Sequence, residues 1–481
     1  MKKLKTLFLV PPVVEGGHPA ERSSGCTRVV YPTPNIYELQ VAACVRESGF
    51  DVTYLDCVNH PLIMDELRNQ IETRQTDVVL MWTVNLSVAN DIHICRWIHS
   101  HFPDIWVMML GPGAGWFSSD CLTDEHTIVV HGEPELTVIE FLTVVAESKD
   151  WKSILGISYM ENGKAVRNGM RPLMRDLDSL PVPARDLVAD TDYRNPKLKV
   201  SPYTTMVTSR NCPFHCIYCV PSSLTFAREI ENRHYTGKKP PIAFRSEEKV
   251  REEIALLHAQ GYRAIGFVDD NFIWNEQRTR AICDALRHNQ MAWSCQARVD
   301  AITEPVARML GESGCQDVDL GVESFNDEIL QFIHKGITSQ QIYQAIGWLK
   351  KYRVPVKLNI LIGTSPLETP ETIRDTIRKA KKLQADQLMI NIVSPFPGTE
   401  FYTMARENGW IVGNEYKPTD VQRESILNYP HMSARKMESL LFWGNLGYYL
   451  SPRFVWTQLR RFRSWKDFTH ALRALKIKLF G

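Results

Sequence analysis

Short apolar runs alternate with amphipathic stretches through the first 150 residues, and this alternation narrows the possible folds sharply. Residues 6–10, 51–55, 77–82, 105–110 and 127–130 read as strands, with helical periodicity over 36–48 and 88–102 between them. Strand and helix in turn imply a parallel sheet covered on both faces, because each crossover must pass over one face to start the next strand in the same direction. Every one of these strands ends in residues suited to a loop that a ligand can approach: Pro11-Pro12, Asp56-Cys57, Thr83-Val84-Asn85-Leu86-Ser87, Gly111-Pro112-Gly113-Ala114-Gly115 and His131-Gly132-Glu133-Pro134. In an open parallel sheet the ligand crevice lies outside those carboxyl ends. Turn closure explains any one of these loops, but five together point to a ligand site.

Residues 151–200 carry Pro172, Pro181, Pro183 and Pro196, with a small hairpin expected at Asn162-Gly163, and read as a connector. The alternation then restarts with a longer period. Strands ending near Thr208, Val268, Ala297, Val322, Ile362 and Val393, with helices over 247–260 and 370–383, describe most of a barrel. Thr369 is placed to cap the second of these helices, with Pro370 in its first turn. The fold class is therefore α/β: a doubly wound sheet at 1–150, a connector at 151–200, a partial (β/α)6 barrel at 201–400 and a helical region at 401–481.

Composition excludes several functions. A chain of 481 residues with 44% hydrophobic and 23% charged residues is globular throughout. Its 56 Lys and Arg against 55 Asp and Glu produce no global field toward nucleic acid or anionic lipid. The apolar stretch after Lys2, Lys3 and Lys5 stops at Pro11, short of a secretory leader, and no run is long enough to span a bilayer, so a cytoplasmic location is expected. Residues 435–481 depart from the average. They hold ten Lys and Arg against Glu438 and Asp467, interleaved with aromatics such as Trp443, Trp456 and Trp465. That pattern suits either a solvated helical subdomain or a nucleic-acid or membrane-surface contact.

Most of the eleven cysteines are scattered, as in a reducing compartment, but Cys212, Cys216 and Cys219 form a Cys-x3-Cys-x2-Cys run just after a predicted strand. Three thiolates on one tight loop can converge on a soft metal centre. A zinc site would take a fourth ligand, His215 or His234. A four-iron, four-sulfur (4Fe–4S) cube with three cysteines instead keeps one iron open for a chelating ligand.

The run Cys212-x3-Cys216-x2-Cys219 resembles the signature of the radical S-adenosylmethionine (SAM) enzymes. The resemblance implies that SAM chelates the open iron and is cleaved by one electron to a 5′-deoxyadenosyl radical. It places Tyr218 beside the adenine and assigns SAM contacts at the later strand ends: Asp269 or Asp270 at the second, Arg298 at the third, Glu323 and Ser324 at the fourth, Gly363 at the fifth and Pro395 at the sixth. A doubly wound, Rossmann-like domain before such a barrel resembles the cobalamin-binding domain of the magnesium-protoporphyrin IX monomethyl ester oxidative cyclase-like class, and Gly132-Glu133-Pro134-Glu135 is close to that class's Gly-Glu-x-Glu segment. Pro12, Thr83, Asn85, Leu86, Gly111, Gly113, Gly132 and Glu133 are the cobalamin contacts this implies. The Asp-x-His-x-x-Gly motif of other cobalamin domains is absent from Asp56-Cys57-Val58-Asn59-His60, so no lower axial histidine is expected, with His18 and His60 the remaining candidates.

The implied activity is modification of an unactivated carbon, by methyl transfer to a hydrophobic small molecule or by oxidative cyclisation or hydroxylation. A reducing donor such as flavodoxin or ferredoxin is implied as partner, with peripheral membrane contact through the tail and no nucleic acid. The reading from a different class is an iron–sulfur RNA-modifying or RNA-binding protein that uses the tail.

Overall fold

Five parallel strands, β1 (Lys5–Val10), β2 (Asp51–Asp56), β3 (Val78–Trp82), β4 (Trp106–Leu110) and β5 (Thr127–Val130), line up in the order β2-β1-β3-β4-β5. The computed structural model describes residues 3–14, 19–24, 29, 31–414, 416–417, 419–452 and 454–455. The alternation of side chains along each strand explains the double cover. Phe8, Val78, Leu80 and Trp82 join one apolar core with the helices Ile36–Glu47 and Pro134–Ala146. Leu7, Leu9, Val79 and Met81 join the other with Met64–Arg74 and Val88–His101. The hairpin expected at Asn162-Gly163 forms between β6 (Ile157–Glu161) and β7 (Lys164–Arg167) and adds two antiparallel strands beside β5. Gly111–Gly115, read from sequence as a loop, instead begins a short helix, Gly111–Trp116.

The chain divides into two compact units. The first comprises Met1–Pro196, Val200–Pro213 and Val220–Asp270. Besides the seven-stranded sheet it holds the parallel pair β8 (Tyr203–Met206) and β11 (Ala264–Phe267), and the short antiparallel pair β9 (Ser209–Arg210) and β10 (Ala243–Phe244).

The second unit comprises Lys197–Lys199, Phe214–Cys219 and Asn271–Gly481. Its parallel strands β12 (Ala292–Arg298), β13 (Cys315–Glu323), β14 (Val356–Ile362) and β15 (Gln387–Ile392) pair in sequence order. All six strands expected between 203 and 393 are thus present. One face of β13 and β14, with Val318, Leu320, Val322, Leu358 and Ile360, is buried. Several alternate positions of β12 to β15 are polar and partly or fully open: Gln296, Asp319, Asn359, Gln387 and Asn391. At the amino ends of these strands, Lys197 lies 2.9 Å from Asp317 and 3.4 Å from Asp319, and Lys357 lies 2.6 Å from Asp319. Burial works against the Asp319 carboxylate, but Lys357 and Lys197 outweigh it and hold its pKa down at about 2. Thr369 caps Pro370–Lys382 as expected, its side chain accepting from Thr372 N–H.

No helix among the described residues is long and apolar enough to cross a membrane. The basic aromatic stretch from 456 onward lies outside the described residues.

The first unit carries a pH-sensitive pair. His99 is mostly buried, which disfavours its charge, but the Asp124 carboxylate 2.5 Å from Nδ1 prevails and lifts the ring pKa to about 9. Because the folded pKa exceeds the unfolded 6.5, the pair contributes fully below pH 6.5 and is lost as pH rises through about 9. Urea melts of wild type and His99→Gln should differ at pH 6 and converge near pH 10.

Candidate functional site

The cysteine loop is fixed on both flanks by one Asp-Asp pair. Asp269, at the end of β11 and 1% exposed, accepts from Thr208 N–H at 3.0 Å, Thr208 Oγ1 at 2.8 Å and Ser209 Oγ at 2.6 Å, all just before the loop. Asp270 accepts from Ser222 N–H at 2.6 Å and Thr225 Oγ1 at 2.5 Å, just after it. Both carboxylates therefore serve the loop. The residue preceding Cys212, Asn211, sits in the left-handed region at φ +81°. Its N–H bonds to Thr225 Oγ1 at 3.2 Å, and its side chain is held by Pro240 C=O and by Arg228.

Within the second unit, Cys219 N–H donates to Cys216 C=O at 3.2 Å, which closes a tight turn. Ile217 between them is 2% exposed and bonds through its backbone to Ile333 and Phe401. The seven other described cysteines are buried, and burial pushes the Cys44, Cys57 and Cys283 thiols up to about 12. Cys212, Cys216 and Cys219 alone are partly exposed among the described cysteines, and this donor set fits a soft metal centre. Among the described residues no three His, Cys, Asp or Glu side chains gather as they would around a single metal ion. One zinc would need its sulfurs about 2.3 Å from a common point. In a four-iron cluster each cysteine binds a different iron, so the sulfurs stand farther apart. His215 and His234, the zinc alternatives, are exposed.

Positive charge surrounds Cys216. The Arg298 guanidinium lies 3.5 Å from the Phe214 ring centroid and 4.0 Å from Cys216 Sγ. It is oriented by two 2.9 Å bonds to Asp300 and one of 2.7 Å to Lys335 C=O. Lys335, which sequence reasoning missed, is 6% exposed and donates to Glu323 at 2.8 Å and to Tyr218 OH at 3.4 Å. Burial disfavours its ammonium, but Glu323 and then Cys216 raise its pKa above the ordinary lysine value. Burial, and then the Glu323 charge, push the Tyr218 phenol well up. Glu323 itself has φ +66°, a strained backbone for a residue with a side chain. A Cβ at Gly321 would lie 2.8 Å from both Glu323 Oε1 and Lys335 Nζ, so glycine there makes room for the pair.

The other predicted SAM contacts are engaged locally. Ser324 Oγ accepts from Asn326 N–H at 3.2 Å and lies 3.3 Å from Thr376 Oγ1. Gly363, at φ +77°, has its N–H capped by Glu368 at 3.0 Å and its C=O bound by Tyr429 at 2.7 Å. Pro395 is buried beside Ser394, whose hydroxyl has no hydrogen-bond partner among the described residues.

In the first sheet, the order β2-β1-β3 makes the ends of β1 and β3 the point where the winding direction reverses. There Arg22, also missed from sequence, makes two 2.8 Å bonds to Asp91 and bonds to Trp82 C=O. Pro12 is buried and its C=O accepts from Asn90, while Leu86 packs on the apolar core. Thr83 Oγ1 and Asn85 Oδ1 are buried without a partner among the described residues. Such atoms are costly unless something bonds them, so these strand ends fit a polar ligand. Gly111 and Gly113 have a packing role: a Cβ there would come within 2.8 Å of Thr83 O and 2.6 Å of Val84 C. The helix Ser223–Thr236 also meets this edge, with Trp82 Nε1 donating to Ser223 Oγ at 3.0 Å and Leu224 entering the same core. Gly132, at φ +69°, faces Glu231 of that helix, and Glu133 is bound by Arg210 and Arg228. His60 is exposed and contacts Thr191, whereas His18 lies outside the described residues.

With this geometry in place, the radical SAM superfamily profile matches residues 206–391. The chain belongs to the radical SAM superfamily and is an enzyme with a 4Fe–4S cluster and SAM as cofactors. It is 31% identical over 464 residues, 95% of this chain and 94% of the relative, to an uncharacterized methyltransferase of Pyrococcus horikoshii. It is 25% identical over 419 residues, 84% of this chain and 78% of the relative, to the anaerobic magnesium-protoporphyrin IX monomethyl ester cyclase of Synechocystis sp.. Two solved structures share the fold. One is the radical SAM methyltransferase TsrM from Kitasatospora setae, at 18% identity and TM-score 0.65 over 85% of this chain and 76% of that one. The other is the cobalamin-dependent radical enzyme OxsB, at 15% identity and TM-score 0.72 over 99% of this chain and 72% of that one. A small-molecule substrate and a need for a reductant are consistent with this membership.

Proposed function

We propose that the protein is a cobalamin-dependent radical SAM methyltransferase acting on an unactivated carbon of a largely hydrophobic small molecule. The single observation that carries this reading is the set of three partly exposed cysteines on a loop pinned at both flanks, with Arg298 and Lys335 beside Cys216. When bound, the cluster and SAM supply a hydrogen-abstracting radical, and cobalamin supplies the methyl group.

Cys212, Cys216 and Cys219 would hold the cluster within a core at 201–400. Arg298, 4.0 Å from Cys216 Sγ, and Lys335 would neutralise negative charge added nearby. Glu323 is positioned to accept from a cationic ligand, with Tyr218 offering a ring face. Residues 1–150 would hold the corrinoid, with Thr83 and Asn85 supplying hydrogen bonds from the end of β3. The amides Gln296, Asn359, Gln387 and Asn391 on the open sheet face can meet the substrate's polar groups. A flavodoxin or ferredoxin would deliver the electron in the cytoplasm, and membrane contact would fall to the tail.

Similarity to the cyclases over most of the chain favours oxidative ring closure as the second reading. Anaerobic reconstitution with iron, sulfide and cobalamin, followed by turnover with SAM, separates the two. A product heavier by one methyl group is the expected mass-spectrometric result, and oxygen insertion or hydrogen loss selects the cyclase reading. Absence of 5′-deoxyadenosine from wild type overturns both.

A further inference from the structure

Glu133 and Glu135 belong to the segment whose resemblance implies a corrinoid contact, yet within the first unit Glu133 is already engaged through both carboxylate oxygens and Glu135 through Oε1, its Oε2 having no partner among the described residues. Glu133 Oε1 accepts from Arg210 Nη1 at 2.7 Å and lies 3.0 Å from Arg228 Nε, and its Oε2 accepts from Met174 N–H at 2.6 Å. Glu135 Oε1 accepts from Arg210 Nη2 at 2.6 Å. All four charged side chains are buried: Arg210 is 3% exposed, Arg228 0%, Glu133 8% and Glu135 1%. Two cations and two anions cancel, which is how a fold tolerates charges removed from water.

What the two arginines hold is the backbone leading into the first cysteine. Arg210 is the second residue before Cys212 and the last of β9. Arg228 donates through Nη1 to the Asn211 side chain at 2.5 Å, and Asn211 has the left-handed φ of +81° that turns the chain into the loop. Left-handed backbone at a non-glycine residue persists only where its surroundings over-determine it.

We infer that Glu133 and Glu135 are positioning residues for the cluster loop: through Arg210 and Arg228 they set the two residues before Cys212, rather than binding corrinoid themselves. This deepens the proposed function and rests on its assignment of Cys212 as a cluster ligand. An arginine fork matched to two carboxylates fixes direction as well as distance, which lysine does not reproduce.

The test uses the full chain reconstituted anaerobically, with Glu133→Gln, Glu135→Gln, the double variant and Arg210→Lys. Two readouts are taken: the EPR spectrum of the reduced cluster with and without SAM, and cobalamin binding by absorbance. The expected result is cobalamin affinity within about twofold of wild type, because the orphaned Thr83 and Asn85 atoms lie on a different strand end. The SAM-induced change in the EPR spectrum should fall by about tenfold in the double variant and in Arg210→Lys. The single variants, each keeping one carboxylate, should fall between. A tenfold loss of cobalamin affinity with an unchanged EPR response would overturn the inference and return Glu133 to the corrinoid. So would an unchanged EPR response in every variant, or joint loss of both properties in single variants that melt like wild type. A wild-type cluster that ignores SAM would instead sink the proposed function itself.

Discussion

Cys216→Ala should abolish iron loading and SAM cleavage together, whereas Cys57→Ala should leave both at the wild-type level. The contrast follows from environment. Cys57 is 4% exposed, and burial followed by the adjacent Asp56 charge pushes its thiol up to about 12, so it stays protonated at neutral pH. Removing its sulfur should cost about 1 kcal/mol of packing and leave the chemistry untouched. Cys216 is partly exposed, 4.0 Å from the Arg298 guanidinium and close enough to Lys335 to raise its pKa. Both cations can offset the negative charge of a cluster held there. Iron content by colorimetric assay and 5′-deoxyadenosine by chromatography decide the matter. Retained iron in Cys216→Ala, or loss of iron in Cys57→Ala, would contradict the assignment.

Lys335→Met is the second large effect. It leaves Glu323 buried, 8% exposed and at its strained φ, without the ammonium that now sits 2.8 Å away. Removing one partner of a buried ion pair costs about 3–5 kcal/mol, because the surviving charge is uncompensated. The urea midpoint should fall accordingly. In the double variant Lys335→Met/Glu323→Gln the loss should be well below the sum of the two single losses, since no charge is then stranded. Strict additivity would show that the pair contributes nothing as a pair. SAM binding should fall in Lys335→Met even where the chain remains folded, because Tyr218 loses the same partner.

The strands could be read because each crosses a layer apolar on both faces in the first sheet, or on one face in the second. The Asn162-Gly163 turn and the Thr369 cap could be read because local chemistry settles them. The cysteine spacing could be read as a soft-metal loop without help from the fold. Lys335 could not be found this way. It lies in a loop 12 residues after Glu323, where a lysine ordinarily reads as solvated, and only the tertiary fold buries it. Arg22 and Asp91 were hidden for the same reason, being 69 residues apart. Glu133 and Glu135 were visible as a motif, but the motif could not show that Arg210 and Arg228 would meet them. With Asp269-Asp270 the sequence left open which carboxylate turns inward. The answer is that each holds one flank of the cysteine loop.

Lys197 has a bearing on the ancestry of this architecture. It comes from the proline-rich stretch between the sheets, yet it supplies a countercharge for Asp317, which is 1% exposed. A gene fusion that joined a new amino-terminal partner at residue 201 would strip that carboxylate of its cation. Any recombination that grafts this catalytic half elsewhere must therefore carry four extra codons upstream, Lys197 to Val200, as a hereditary splint.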